Sequence, residues 1–138
     1  MYHPALLHLA PYAALLTFIY IVMSFRIARL RIHHRLSIGV AEDDTMQRAV
    51  RAQANFGEYV PLALLLLTMC CLLHAAPLFI DIQGIVLVLA RLTHIYSITV
   101  FEPKRRRHVL RPYAMVGTQF VLFSAAAFLL WQWLRFVL

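Results

Sequence analysis

The segment Gln47-Arg-Ala-Val-Arg51-Ala-Gln-Ala-Asn55-Phe-Gly-Glu58-Tyr-Val-Pro61 runs straight into the apolar stretch Leu62-Ala-Leu-Leu-Leu-Leu67. A carboxylate at membrane depth costs about 2.5–3.5 kcal/mol on insertion scales, so one that is retained has a partner and a use. At about 100° per residue, Arg48, Arg51, Asn55 and Glu58 fall within an arc of roughly 80°, one polar stripe on one helix face. A second intrusive group, Arg91-Leu-Thr-His94, interrupts a later apolar run and puts Arg91 and His94 on neighbouring positions of a single face. Guanidinium, amide, imidazole and carboxylate groups gathered in this way suit a polar ligand pocket inside the bilayer.

Four apolar spans must position these side chains. The chain has 138 residues, of which 62% are apolar and 14% charged. That is too oily and too weakly charged for a soluble domain of this size. A single all-α domain, an integral membrane four-helix bundle over residues 1–138, is the expected architecture. Runs of about 20 apolar residues mark spans near 4–25, 45–74, 82–101 and 112–136. Asp44 or Thr45 is the expected N-cap of the second helix, Pro77 its stop, and Asp81-Ile-Gln83 a polar turn. The start Met1-Tyr-His-Pro4 lacks the basic region of a secretory signal, so the first span is expected to persist.

The net charge of +7 would suggest nucleic acid in a soluble protein. Here it reads as topology, and no nucleic-acid partner is expected. Arg26, Arg29, Arg31, Arg35, Arg48 and Arg51 flank the first connection, and Lys104, Arg105, Arg106, Arg107 and Arg111 the third. The positive-inside rule makes loops 26–47 and 101–111 cytoplasmic and both termini external. Trp131, Trp133 and Arg135 suit an outer interfacial belt, and the run from Lys104 to Arg107 suits contact with anionic lipid heads.

Depth links the two polar groups. Glu58 lies roughly 16 Å along its helix from Gln47, and Arg91 roughly 15 Å from Phe101, so on antiparallel helices the two can meet at one level. A Glu58–Arg91 pair could simply pin helix register. However, Arg51, Arg91 and Arg111 outnumber the one glutamate, and an unpaired buried charge costs desolvation. An anionic ligand would complete the balance. No metal is expected, because His3, His8 and His108 lack ligand spacing and Cys70-Cys71 reads as small residues packed mid-helix. His33 and His34 read as solvated, and His74 as a cap or head-group contact.

The run from Arg51 to Pro61, followed by Arg91-Leu-Thr-His94, resembles the MAPEG family, the membrane-associated proteins of eicosanoid and glutathione metabolism, in a bacterial-type form. The resemblance covers most of the chain. It implies a homotrimer with glutathione as cosubstrate, bound between neighbouring subunits on the cytoplasmic side of a bacterial inner membrane. It implies that Arg51, Asn55, Glu58, Arg91 and His94 bind glutathione together with a first-helix arginine, either Arg26 or Arg29. A thiol-activating arginine near the fourth helix is best matched by Arg111, with Arg107 as the rival. Two positions depart from the family pattern: Gln53 stands where histidine is common, on a side away from the stripe, and Ile98 replaces a tyrosine one turn after His94.

Such a site could bind the two carboxylates of glutathione through Arg51 and Arg91 and its ammonium through Glu58. A guanidinium beside a thiol of pKa about 8.5 favours the thiolate nucleophile. The expected activity is that of a membrane transferase or peroxidase acting on hydrophobic electrophiles or lipid hydroperoxides that arrive from the bilayer. Two alternatives stand beside it: a non-catalytic binding protein of the same fold, and a proton-coupled four-span transporter built on Glu58, which the neighbouring guanidinium groups oppose.

Overall fold

A computed structural model describes residues 4–39, 42–105 and 109–138, apart from the side chain of Arg105. Helix α1 spans Pro4–His33, α2 Asp44–Leu72 and α3 Pro77–Tyr96. Helix α3 passes through a π-helical turn, Ser97–Phe101, into the short α4, Glu102–Arg105, and α5 spans Leu110–Val137. Among the described residues, four helical stretches are long and apolar enough to cross a membrane, with α3 to α4 counting as one. The most extensive packing is α1 on α2 and α3 on α5, while α2 and α3 touch only lightly across the bundle.

Local chemistry sets the helix ends, and several differ from the sequence expectation. The N-cap of α2 is Asp43 rather than Asp44 or Thr45: its carboxylate accepts the Met46 N–H at 2.9 Å from an extended backbone. Helix α2 stops at Leu72, with His74 in the left-handed region (φ 60°), so the chain turns before Pro77 is reached. Pro77 therefore starts α3, where a missing N–H is harmless. Asp81-Ile-Gln83 is helical rather than a turn, because His8 (2.8 Å) and Tyr12 (3.2 Å) satisfy the Asp81 carboxylate. Helix α1 runs on to His33, eight residues past Phe25, so Arg26, Arg29 and Arg31 are helical. Helix α5 begins at Leu110, and Pro112 sits in its first turn, where N–H groups have no helical partner anyway.

The core joins all four spans through Leu16, Leu67, Ile80, Leu87 and Val121, each fully buried. Cys70 and Cys71 are free and buried, and their thiols point to the Ala125 and Ala5 carbonyls. Large apolar side chains such as Phe18, Phe25, Leu65, Phe123 and Trp131 are exposed, as a lipid-facing surface requires.

At Gly84 of α3 the Tyr12 ring of α1 packs directly against the backbone. A Cβ there would lie 2.4 Å from the Tyr12 ring, whose hydroxyl bonds Asp81 one turn away. Gly84→Ala is expected to push Tyr12 off Asp81 and destabilise the bundle by about 1–3 kcal/mol. The thermal midpoint in detergent measures this, and the cost should shrink when Tyr12→Ala is already present.

Candidate functional site

At the centre of the bundle Arg91 of α3 is 1% exposed. Its Nη1 donates to the Asn55 Oδ1 of α2 at 2.9 Å, and its Nη2 donates to the Thr118 hydroxyl of α5. The Met115 sulfur lies 3.9 Å from Nη2, and the guanidinium sits 5.8 Å from the Tyr59 ring centroid. Each of these partners is neutral, and Nε is buried with no partner. Among the described residues no carboxylate forms an ion pair with Arg91. The guanidinium thus ties together the three elements that meet here, yet keeps an uncompensated charge and a spare donor.

Within one chain, Glu58 and Arg91, which the sequence places at one level, do not pair. Glu58 lies about 60° round α2 from Asn55, on the side away from the buried Ala52, Phe56 and Ala63. Glu58 and Arg51 are both exposed, and neither forms an ion pair among the described residues. They share an outward face, two turns or roughly 10 Å apart along the axis. The stripe is therefore split: Asn55 turns inward to Arg91, while Arg51 and Glu58 turn outward.

His94, one turn beyond Arg91, is 4% exposed and within electrostatic reach of Arg91, Arg111, Glu102 and Arg51. Of the first-helix candidates, Arg26 is half-buried and lines a cavity of about 20 Å³ with Ala49, Ala52 and Thr99, whereas Arg29 is exposed. Gln53 donates to the Ser24 hydroxyl of α1 at 2.7 Å, which ties it to α1 rather than to the stripe. His34, expected to be solvated, is half-buried and lies 3.5 Å from the Asp43 carboxylate. Arg107, His3 and His108 lie outside the described residues.

Arg111 is not an uncompensated cation. Its Nη2 lies 2.5 Å from the Glu102 carboxylate, which is 1% exposed, accepts from the Ser97 hydroxyl at 3.1 Å and lies 3.6 Å from Arg48. Glu102 reduces the apparent excess of positive charge to Arg51 and Arg91 set against Glu58. Sequence reasoning missed it because Glu102 adjoins Pro103 and a basic run, and so reads as loop. The available signal was a single carboxylate placed between an apolar span and four cations.

A bundle whose described residues include four helical stretches long and apolar enough to cross a membrane is the architecture of a small multi-pass membrane protein. Residues 9–131 match the MAPEG family, and the chain belongs to that family. It is also 34% identical over 88 residues to the inner membrane protein YecN of Escherichia coli K12, an overlap covering 64% of this chain and 67% of the relative. The YecN protein of Escherichia coli O6:H1 shows the same identity and coverage.

Proposed function

We propose that the chain is a glutathione-dependent membrane transferase or peroxidase of the inner membrane, which binds glutathione in a cytoplasm-facing site and acts on hydrophobic electrophiles or lipid hydroperoxides. The observation that carries this reading is charge without a counter-charge: Arg91 is buried among neutral partners, and Arg51 and Glu58 stand exposed on one face of an apolar helix. A charged stripe cannot rest against hydrocarbon, so a second copy of the chain covers it, and a homotrimer supplies that copy. Glutathione then brings carboxylates for Arg51 and the free Nε of Arg91, and an ammonium for Glu58, with Asn55 and His94 close by. Arg26 or Arg29 completes the site from α1. An apolar groove of about 360 Å³ between Leu16, Tyr20, Phe56 and Gly57, next to Glu58 in the chain, offers a path for a lipid-soluble second substrate. Once Arg111 is turned to the thiol, it stabilises the thiolate that attacks this substrate.

A non-catalytic glutathione binder is the second reading. It is favoured by the pairing of Arg111 with Glu102 and by Ile98 at the position where the family tyrosine is expected. Both readings require that glutathione raise the thermal midpoint of the detergent-solubilised protein, by up to about 2.7 kcal/mol equivalent at a hundredfold excess over Kd. No shift at saturating glutathione sinks both. Turnover with model electrophiles and cumene hydroperoxide separates them.

A further inference from the structure

Among the described residues, buried Glu102 is met from three elements: it accepts from Arg111 of α5 at 2.5 Å and from Ser97 of the π-helical turn at 3.1 Å, and it lies 3.6 Å from the Arg48 guanidinium of α2. Residues five apart in an α-helix are separated by about 140° and cannot share a side-chain bond. The wider turn of Ser97–Phe101 brings Ser97 and Glu102 onto one face, and the Glu102 N–H donates to the Ser97 carbonyl. A single π-helical turn inside a membrane helix is a frequent mark of a functional position. Here it aims a carboxylate at the arginine that the proposed function assigns to the thiol.

We propose that Glu102 is a positioning residue that holds Arg111 as an internal counter-ion, so that Arg111 serves an incoming anion only when that anion displaces the carboxylate. Resting on the glutathione reading, that anion is the thiolate. The geometry suits an exchange. Arg111 is 38% exposed on its side chain, and its Nε is buried without a partner. When Arg111 turns away, Glu102 keeps Ser97 and Arg48, and Arg48 is itself steadied by Asp44 at 2.7 Å. Release of Arg111 therefore does not strand a bare carboxylate in the interior, the outcome that makes most broken buried ion pairs costly. Among the described residues, His94 of α3 is a further titratable group within electrostatic reach of Glu102.

The test uses the full chain in detergent and Glu102→Gln, which keeps the shape and an acceptor oxygen but removes the charge. Without ligand, phenylglyoxal should modify Arg111 several-fold faster in Glu102→Gln than in the wild type, with the exposed Arg135 as internal control, read by peptide mass spectrometry. Glu102→Asp, which retains the charge, should fall between the two and serves if the glutamine variant folds poorly. Equal Arg111 rates in all three overturn the proposal. With glutathione, the ultraviolet thiolate band should titrate about one unit lower in Glu102→Gln, and Arg111→Ala should erase that difference. An unchanged or raised midpoint in Glu102→Gln also overturns the counter-ion role. Faster Arg111 labelling in Glu102→Gln than in the wild type, with neither protein responding to glutathione, would instead remove the glutathione reading and leave the counter-ion role standing.

Discussion

Arg91→Met is expected to abolish the response to glutathione while leaving the unliganded protein about as stable as the wild type. A buried ion costs several kcal/mol in desolvation, and in Arg91 only neutral groups offset it: Asn55, Thr118 and the face of Tyr59. Methionine keeps most of the apolar stem and removes the charge. The loss is a pair of hydrogen bonds, about 1–3 kcal/mol, and the Thr118 hydroxyl still has the Ala114 carbonyl at 3.1 Å. Gain and loss come close to cancelling. Binding has no such compensation: removing one buried partner of a charged contact costs about 2–5 kcal/mol, which is at least a 30-fold loss of affinity. Thermal midpoints with and without glutathione measure both halves. A variant that unfolds without ligand would make Arg91 a structural brace, and one that keeps the full ligand response would take it out of the site.

The four spans were legible because their signal is collective. Some 20 apolar residues in a row leave little room for another architecture, and the positions of the spans survive in α1, α2, α3 and α5. The ends were less legible, because they depend on single contacts made far away in sequence. Asp81 reads as a turn until His8 and Tyr12 of α1 are seen to satisfy it. Helix α1 reads as ending at Phe25, since Arg26 and Arg29 look like loop residues, yet arginine is a good helix former and carries the helix eight residues further.

The site was half legible for a related reason. Periodicity places Arg48, Arg51, Asn55 and Glu58 on one arc, but an arc of roughly 80° is wide enough to be divided by the edge of a helix interface. Asn55 falls on the buried side and reaches Arg91, while Glu58 falls on the exposed side. Equal depth was a sound inference for Glu58 and Arg91, but azimuth decided the contact. Glu102 escaped altogether because it reads as loop beside Pro103 and the basic run, and the π-helical turn that brings it onto one face with Ser97 leaves no periodic signal in the sequence.

Glu58→Ala is expected to weaken glutathione binding about 10- to 150-fold, the range for one charge-assisted hydrogen bond of 1.5–3 kcal/mol. The variant alone cannot say which part of the ligand Glu58 meets, because an exposed carboxylate on an apolar helix also bears on how a second copy packs. The ligand supplies the control. N-acetylated glutathione lacks the ammonium and retains both carboxylates and the thiol. Wild-type protein should discriminate against it by the same factor that Glu58→Ala loses, and Glu58→Ala should bind the two ligands alike. Their non-additivity is the coupling between carboxylate and ammonium, and subunit packing drops out because it is common to both ligands. Arg51→Ala, on the same outward face but assigned to a ligand carboxylate, should weaken both ligands and leave their ratio unchanged. If Glu58→Ala lowers both affinities equally instead, Glu58 acts on assembly alone and the ammonium sits elsewhere.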